Sequence, residues 1–198
     1  MAAGIYCIEN DWWEDPKRQS TVEPILQMFR AHSKVDYIRR DVATDIELEF
    51  YLRQWSGSKY SKYPILYLAL HGHTGELQVK EKKKVRYDSR SLTLDELEKI
   101  LEGKCQGKVI MFSSCSTLGI HGNRLNTFVR KTKAKAVLGY KEKVDWLESL
   151  IFELALFSEI TKRKKFHARS LRNGVGRVKS LHKGLAKKLK FRFFRSKT

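Results

Sequence analysis

His71 and Cys115 are the residues whose types and settings could do chemistry together. His71 closes the apolar run YPILYLALHG, and Cys115 follows the apolar run at the start of VIMFSSCSTLG, residues 109 to 119. A short apolar run closed by small polar residues reads as a buried parallel strand ending in a tight turn. In open α/β sheets, sites form where strands end at their carboxyl side. If the two runs are neighbours in one parallel sheet, both residues fall on the same edge. A thiol beside an imidazole is the minimum for nucleophilic thiol catalysis, because the thiolate is the reactive species and the imidazole can take its proton or stabilise its charge. Gly72 directly follows the histidine and lets a carbonyl approach the backbone. Its N–H and that of Cys115 are candidate oxyanion donors.

Other readings compete for these residues. Cys115 could be a packed small residue at a strand end, since free cysteine is often buried. His73 has the same strand parity as His71, but His71 ends the apolar run and precedes Gly72. His71, His73, Cys115 and His121 could gather around zinc. There is, however, neither a Cys-x-x-Cys pair nor an HExxH helix, and Cys115 to His121 is not a usual ligand spacing, so no metal is assigned. A cysteine phosphatase also places its thiolate in a phosphate-cradling loop before a helix. The arginine those enzymes carry shortly after the cysteine is replaced here by His121, and Arg124 lies too late. No GxxxxGK[ST] or GxGxxG occurs, so no nucleotide cofactor is expected.

The elements that must position the pair alternate along the chain. GIYCIE (4–9) reads as a first strand. Ser20 or Thr21 can cap a helix to about His32, with Val22, Ile25, Leu26 and Phe29 on one face and Pro24 in its first turn. VDYIRR (35–40) is a second strand, and Thr44 with Glu47 makes a capping box for a helix to about Trp55. After the YPILYLALHG strand, GELQVKEKKKVRYDS reads as a hairpin. Thr93 with Glu96 opens a helix carrying Leu94, Leu97, Ile100 and Leu101. The Val109 strand, a helix from about Asn123 to Lys133, the strand AVLGY and a long helix capped by Asp145 and Glu148 complete the body. That last helix places Leu147, Leu150, Ile151, Leu154 and Phe157 in helical register. The alternation predicts an α/β protein, a mostly parallel sheet with helices on both faces.

An apolar strand ending in His-Gly, followed by a later apolar strand ending in a small-residue Cys turn, resembles the caspase-like cysteine peptidases. That clan includes caspases, metacaspases, gingipains, separases and the CHAT-domain proteases. Cys115 follows His71 by 44 residues, near the roughly 50 noted for caspases. The resemblance covers residues 4 to 160 in element order, and two short motifs carry it. It implies a caspase-like three-layer sandwich and a cysteine endopeptidase. In that reading Cys115 attacks the peptide carbonyl to give a thioester, His71 is the base or acid, and the Gly72 and Cys115 amides hold the oxyanion. It further implies a protein substrate and an activating partner, and thiol chemistry of this kind requires no cofactor. FSSCSTLG is closer to the CHAT-like branch than to the Gln-Ala-Cys signature of caspases. The acidic residue two before the cysteine in metacaspases is Ser113 here, so the preferred substrate residue stays open. Asp145, Asp11 and Glu14 are acidic groups that could pair with a basic substrate side chain, although Asp145 also reads as a helix N-cap. Trp12 and Trp13 could wall the cleft or cover the first helix. KEKKKVR (80–86) reads as a solvated hairpin tip or a self-cleavage loop.

Charge divides the chain. Of 40 Lys and Arg, 15 fall in residues 162–198, which hold no Asp or Glu; residues 1–161 hold the other 25 beside all 22 acidic residues. The body (1–161) is therefore read as the peptidase domain and 162–198 as a basic amphipathic segment packed on it. In that segment Val178, Leu181, Leu185 and Leu189 predict a helix from about Gly176 to Leu189 with one apolar stripe. Its basic face could be solvated, could bind nucleic acid, or could meet an anionic membrane surface aided by Phe191, Phe193 and Phe194. The competing class of function is an inactive caspase-like module that binds nucleic acid or a partner through this segment. No apolar stretch is long enough for a transmembrane segment. MAAGIYCIEN lacks a signal-peptide pattern, so a cytoplasmic protein is expected. The odd number of cysteines, Cys7, Cys105 and Cys115, argues against a disulfide framework.

Overall fold

A computed structural model of the chain describes residues 2–10, 21–83, 86–162 and 166–196, with side chains for all of these except 81–83 and 86–89. Trp12, Trp13, Asp11, Glu14, Ser20 and the centre of the KEKKKVR segment lie outside the described residues. Five strands, β1 (Ile5–Glu9), β2 (Tyr37–Asp41), β3 (Ile65–Ala69), β7 (Val109–Ser113) and β8 (Ala136–Tyr140), run parallel. A sixth, β9 (Phe191–Arg195), pairs antiparallel with β8, and the order across the sheet is β2-β1-β3-β7-β8-β9. A second, antiparallel sheet is made by β4 (Gly72–His73), β5 (Glu76–Lys83) and β6 (Arg86–Thr93).

Every residue of β1, β3 and β8, and of β7, is buried, as strands covered on both faces must be. One face packs on α1 (Glu23–Ser33), α5 (Trp146–Ile160) and α6 (Ala168–Leu181) through Leu26, Phe29, Phe152, Leu156, Leu171 and Val175. The other packs on α2 (Asp45–Ser56), α3 (Leu94–Leu101) and α4 (Gly122–Thr132) through Leu48, Trp55, Leu97, Leu125 and Phe128. The result is an α/β three-layer arrangement. The chain steps from β1 outward to β2, then returns past β1 to β3. Right-handed crossovers put α1 and α2 on opposite faces when the direction reverses in this way. In such sheets the usual position of a site is at the carboxyl ends of the strands beside the reversal, here β1 and β3.

Both capping boxes form. Thr44 Oγ1 accepts from Glu47 N at 3.3 Å and Thr93 Oγ1 from Glu96 N at 3.2 Å. The Glu47 and Glu96 carboxylates, accepting backbone amides of Ala43 and Thr44 and of Thr93 respectively, are held below the usual range. α1 differs from expectation. Val22 takes the cap position with no side-chain bond, and Thr21, one residue before it, accepts the first helical amide, Glu23 N, at 3.1 Å while its hydroxyl donates to Glu9 Oε1 at 2.7 Å. In α5 the apolar pattern is broader than its buried face. Leu147 and Ile151 are exposed, while Glu153 is fully buried among the apolar residues.

The C-terminal segment is not one helix over 176–189. α6 ends at Leu181, His182 leaves helical geometry with φ −114° and ψ 40°, and α7 (Lys183–Lys188) restarts beyond it. Leu181 is therefore exposed and drops out of the stripe. Glycines 174, 176 and 184 weaken helix propagation through this segment. Phe191, Phe193 and Phe194, read above as aids to membrane contact, are strand residues instead. Phe191 packs on Phe152 with ring centroids 4.8 Å apart, and Phe193 and Phe194 join opposite cores. Among the described residues no helix is long and apolar enough to cross a membrane.

Candidate functional site

β3 and β7 are hydrogen-bonded neighbours, and Ala69 is register partner of Ser113. His71 and Cys115 each stand two residues beyond that last aligned pair. The parallel pairing therefore brings both to the same place on the carboxyl edge of the sheet. His71 and Cys115 are both half-buried, whereas His73 is exposed. The Cys115 thiol donates to the carbonyl of Val144 at 3.8 Å, in the loop between β8 and α5. Cys7 and Cys105 have no solvent access. Burial pushes the Cys7 thiol well above its ordinary value and that of Cys105 up to about 12.

Gly72 is where the two sheets meet. The carbonyl of His71 accepts from Gln78 N at 2.8 Å, so Gly72 and its partner Leu77 form the intervening non-hydrogen-bonded pair. The Gly72 N–H consequently points off β4 on the side away from β5. The Cys115 turn lies directly against the Gly72 α-carbon. A Cβ there would meet Thr117 Oγ1, Cys115 O at 2.8 Å and Ser114 Cβ at 2.9 Å. Only glycine permits this approach.

The turn is held from several sides. Ser116, with φ 58°, occupies the left-handed region and reverses the chain immediately after Cys115. Ser116 N donates to Glu142 O at 3.0 Å and Leu118 N to Tyr140 O at 3.1 Å. Thr117 is fully buried; its hydroxyl donates to Glu76 O at 3.0 Å and accepts from Ser114 Oγ at 2.7 Å, the one assignment of a single proton that serves both contacts. Arg192 of β9 donates through Nη1 to the carbonyls of Leu118 at 2.5 Å and Ile120 at 2.6 Å. Asn10, just past β1, donates to Gln78 O at 3.2 Å, and its buried Oδ1 has no partner among the described residues.

Beneath the end of β7 lies a carboxyl group with no solvent access. Glu153 of α5 accepts from Tyr67 at 2.5 Å and Tyr140 at 2.8 Å, and Ser113 also bonds to it. Burial raises it to about 7, and the three hydroxyls partly offset that rise. Asp145 is exposed and caps α5, accepting from Glu148 N at 2.9 Å, one residue after the carbonyl that receives the Cys115 thiol. His121 Nδ1 accepts from Asn123 N at 3.4 Å at the start of α4. Among the described residues no three His, Cys, Asp or Glu side chains gather as a metal site.

The chain belongs to the family described as DUF6642, a family of unknown function, whose model matches residues 2–195. The match spans the six-stranded sheet and reaches through β9. No curated protein matches the sequence.

Sequence reading found His71, Gly72 and Cys115 because they end apolar runs. It missed Glu153, Thr117, Arg192 and Asn10. Glu153 carried a readable signal, since a carboxylate among Phe152, Leu156 and Phe157 must be neutralised or hydrogen-bonded. Arg192 and Asn10 carried none, because their partners come from distant elements.

Proposed function

We propose that this protein is a cysteine endopeptidase of the caspase-like type. The observation that carries the reading is the register of β3 and β7, which sets His71 and Cys115 equally far past Ala69 and Ser113 on neighbouring strands. Cys115 Sγ, its proton passed to His71, attacks the substrate carbonyl. The resulting oxyanion is stabilised by the N–H groups of Gly72 and Cys115. Collapse expels the amine, which takes a proton from His71, and leaves a thioester that water hydrolyses to regenerate the thiol. The outward N–H of Gly72 and the left-handed turn at Ser116 support this reading, since strained turns concentrate at active sites. Asp145, next to Val144 and bonded to Glu148 N, is the acidic group to which this reading assigns a preference for a basic substrate residue.

The test is cleavage profiling with a peptide library, comparing the native protein, alone and after limited proteolysis, with Cys115→Ala. Native protein should release products with a preferred residue at the cleavage position, and Cys115→Ala should release none. Identical product spectra, or none from either protein in both states, would overturn the proposal.

A further inference from the structure

A concave surface lies on the other side of the sheet from α5. It is a groove of about 850 Å3 between α4 and the end of β9. Asn123, Asn126 and Arg130 line it from α4, Gln106, Lys133 and Lys135 from the flanking loops, and Arg195 from β9. Asn123, Asn126 and Arg130 fall on one face of the helix at spacings of three and four. At 1.5 Å per residue that stripe is about 10 Å long.

The two flanks of α4 differ in how their charge is met. On the flank facing α3, Arg124 bonds Glu98 Oε2 at 2.6 Å as well as Asp95, and Lys131 bonds Glu98 Oε1 at 2.9 Å. On the groove flank Arg130 and Lys133 are exposed, and no acidic residue is among those lining the groove. Cations from three separate elements thus converge on a concavity whose other polar side chains are the amides of Gln106, Asn123 and Asn126 and the hydroxyls of Thr127 and Ser196. Carboxyl groups are available on this protein and are used to neutralise the same helix on its opposite side.

We propose that this groove binds a single strand of nucleic acid. Lys and Arg neutralise phosphates and release counterions. The amides of Gln106, Asn123 and Asn126 can each donate and accept, which suits base edges as well as sugar hydroxyls. Concavity favours one flexible strand laid along the floor, in the manner of electrostatic channels for single strands. The residues are separate from His71, Gly72 and Cys115, so the inference stands whether or not the thiol is catalytic.

The test is fluorescence anisotropy of a labelled oligodeoxynucleotide of about 12 nucleotides, titrated with the full chain between about 50 and 200 mM salt. Native protein should bind, with affinity falling steeply as salt rises. The triple variant Arg130→Ala, Lys133→Ala, Arg195→Ala should lose at least about tenfold in affinity. Its salt slope should fall by about 2, at about 0.7 per lost phosphate contact on a single strand. A control triple on α6, Arg169→Ala, Arg172→Ala, Lys179→Ala, removes equal charge and should stay within about twofold of native. Should the groove triple fail to fold, Asn126→Asp places a carboxylate in the groove without removing a cation and should weaken binding likewise. Equal losses in both triples would reduce the effect to diffuse charge and overturn the proposal. So would absence of binding at low salt, tighter binding of the matching duplex, or displacement of the oligonucleotide by phosphatidylserine vesicles through the same groove residues.

Discussion

The hydroxyl of Tyr140 donates to Oε1 of Glu153 at 2.8 Å, inside a core that gives the carboxyl group no solvent. Tyr67 and Ser113 complete its partners, so strands β3, β7 and β8 are tied to α5 through one side chain directly below the strand end that leads to Cys115. Burial raises Glu153 to about 7 from an ordinary 4.5. A raised folded-state value favours the neutral acid. Its contribution to stability is therefore complete below about 4.5 and is lost as pH rises through about 7. Between about pH 5 and pH 8 this single group should cost the native protein about 2 to 3 kcal/mol. Glu153→Gln keeps the shape without the titration. Urea unfolding of the two proteins at both pH values should show the native protein losing more by that amount, and parallel pH profiles would refute the assignment.

The three cysteines should separate under alkylation. Cys7 and Cys105 are fully buried and their thiols are pushed up, whereas Cys115 is half-buried at the sheet edge. Iodoacetamide near neutral pH should modify Cys115 first, because access and thiolate character both control the rate. His71→Ala should slow that modification several-fold, while His73→Ala should not. Peptide mapping reads each site. Cys115 labelling at the same rate with and without His71 would remove the imidazole from the reaction.

Thr117 should be worth more than its size. Its buried hydroxyl satisfies Glu76 O and Ser114 Oγ together, joining the hairpin of β4 and β5 to the Cys115 turn. Thr117→Val leaves both groups without that partner and should destabilise the protein by about 1 to 3 kcal/mol. Thr117→Ser keeps the hydroxyl and should recover most of the loss. Denaturant unfolding of the pair distinguishes a hydrogen-bonding role from simple packing, in which case serine would be the worse variant.

What could be read from the sequence was local, and what could not was long-range. The capping boxes at Thr44 and Thr93 depend on residues three apart, and both form as their spacing dictates. The strand ends at His71 and Cys115 were marked by apolar runs stopping at small or polar residues. The break at His182 was hidden because Val178, Leu185 and Leu189 keep helical spacing across it. The strand Phe191–Arg195 was hidden because FRFFR has no clean alternation and gains its stability from pairing with β8, far away in sequence. Phe152, Leu156 and Phe157 flag Glu153 as a carboxylate to be satisfied, but they do not say which face it takes. Glu153 sits in a helix whose apolar residues extend beyond the buried face, so its own burial depends on which side the sheet occupies.

Gly72 offers the sharpest test of how the two halves of the site are held together. An added Cβ would stand 2.8 Å from Cys115 O and 2.9 Å from Ser114 Cβ, closer than packed atoms tolerate. Cys115 O is backbone and cannot rotate aside, so Gly72→Ala must displace either β4 or the turn that carries the thiol. Overpacking of this kind should destabilise by about 1 to 3 kcal/mol. A shift of about 1 Å between nucleophile and oxyanion donor should lower cleavage about a hundredfold. His73→Ala, one residue on and exposed, serves as the control and should change stability by no more than about 0.5 kcal/mol. The decisive comparison is Cys115 alkylation in Gly72→Ala. If peptide cleavage falls while iodoacetamide still labels Cys115 at the native rate, the thiol is intact and the loss lies in the oxyanion position. Native cleavage rates in Gly72→Ala would show that the close approach of β4 to the Cys115 turn plays no part in the reaction.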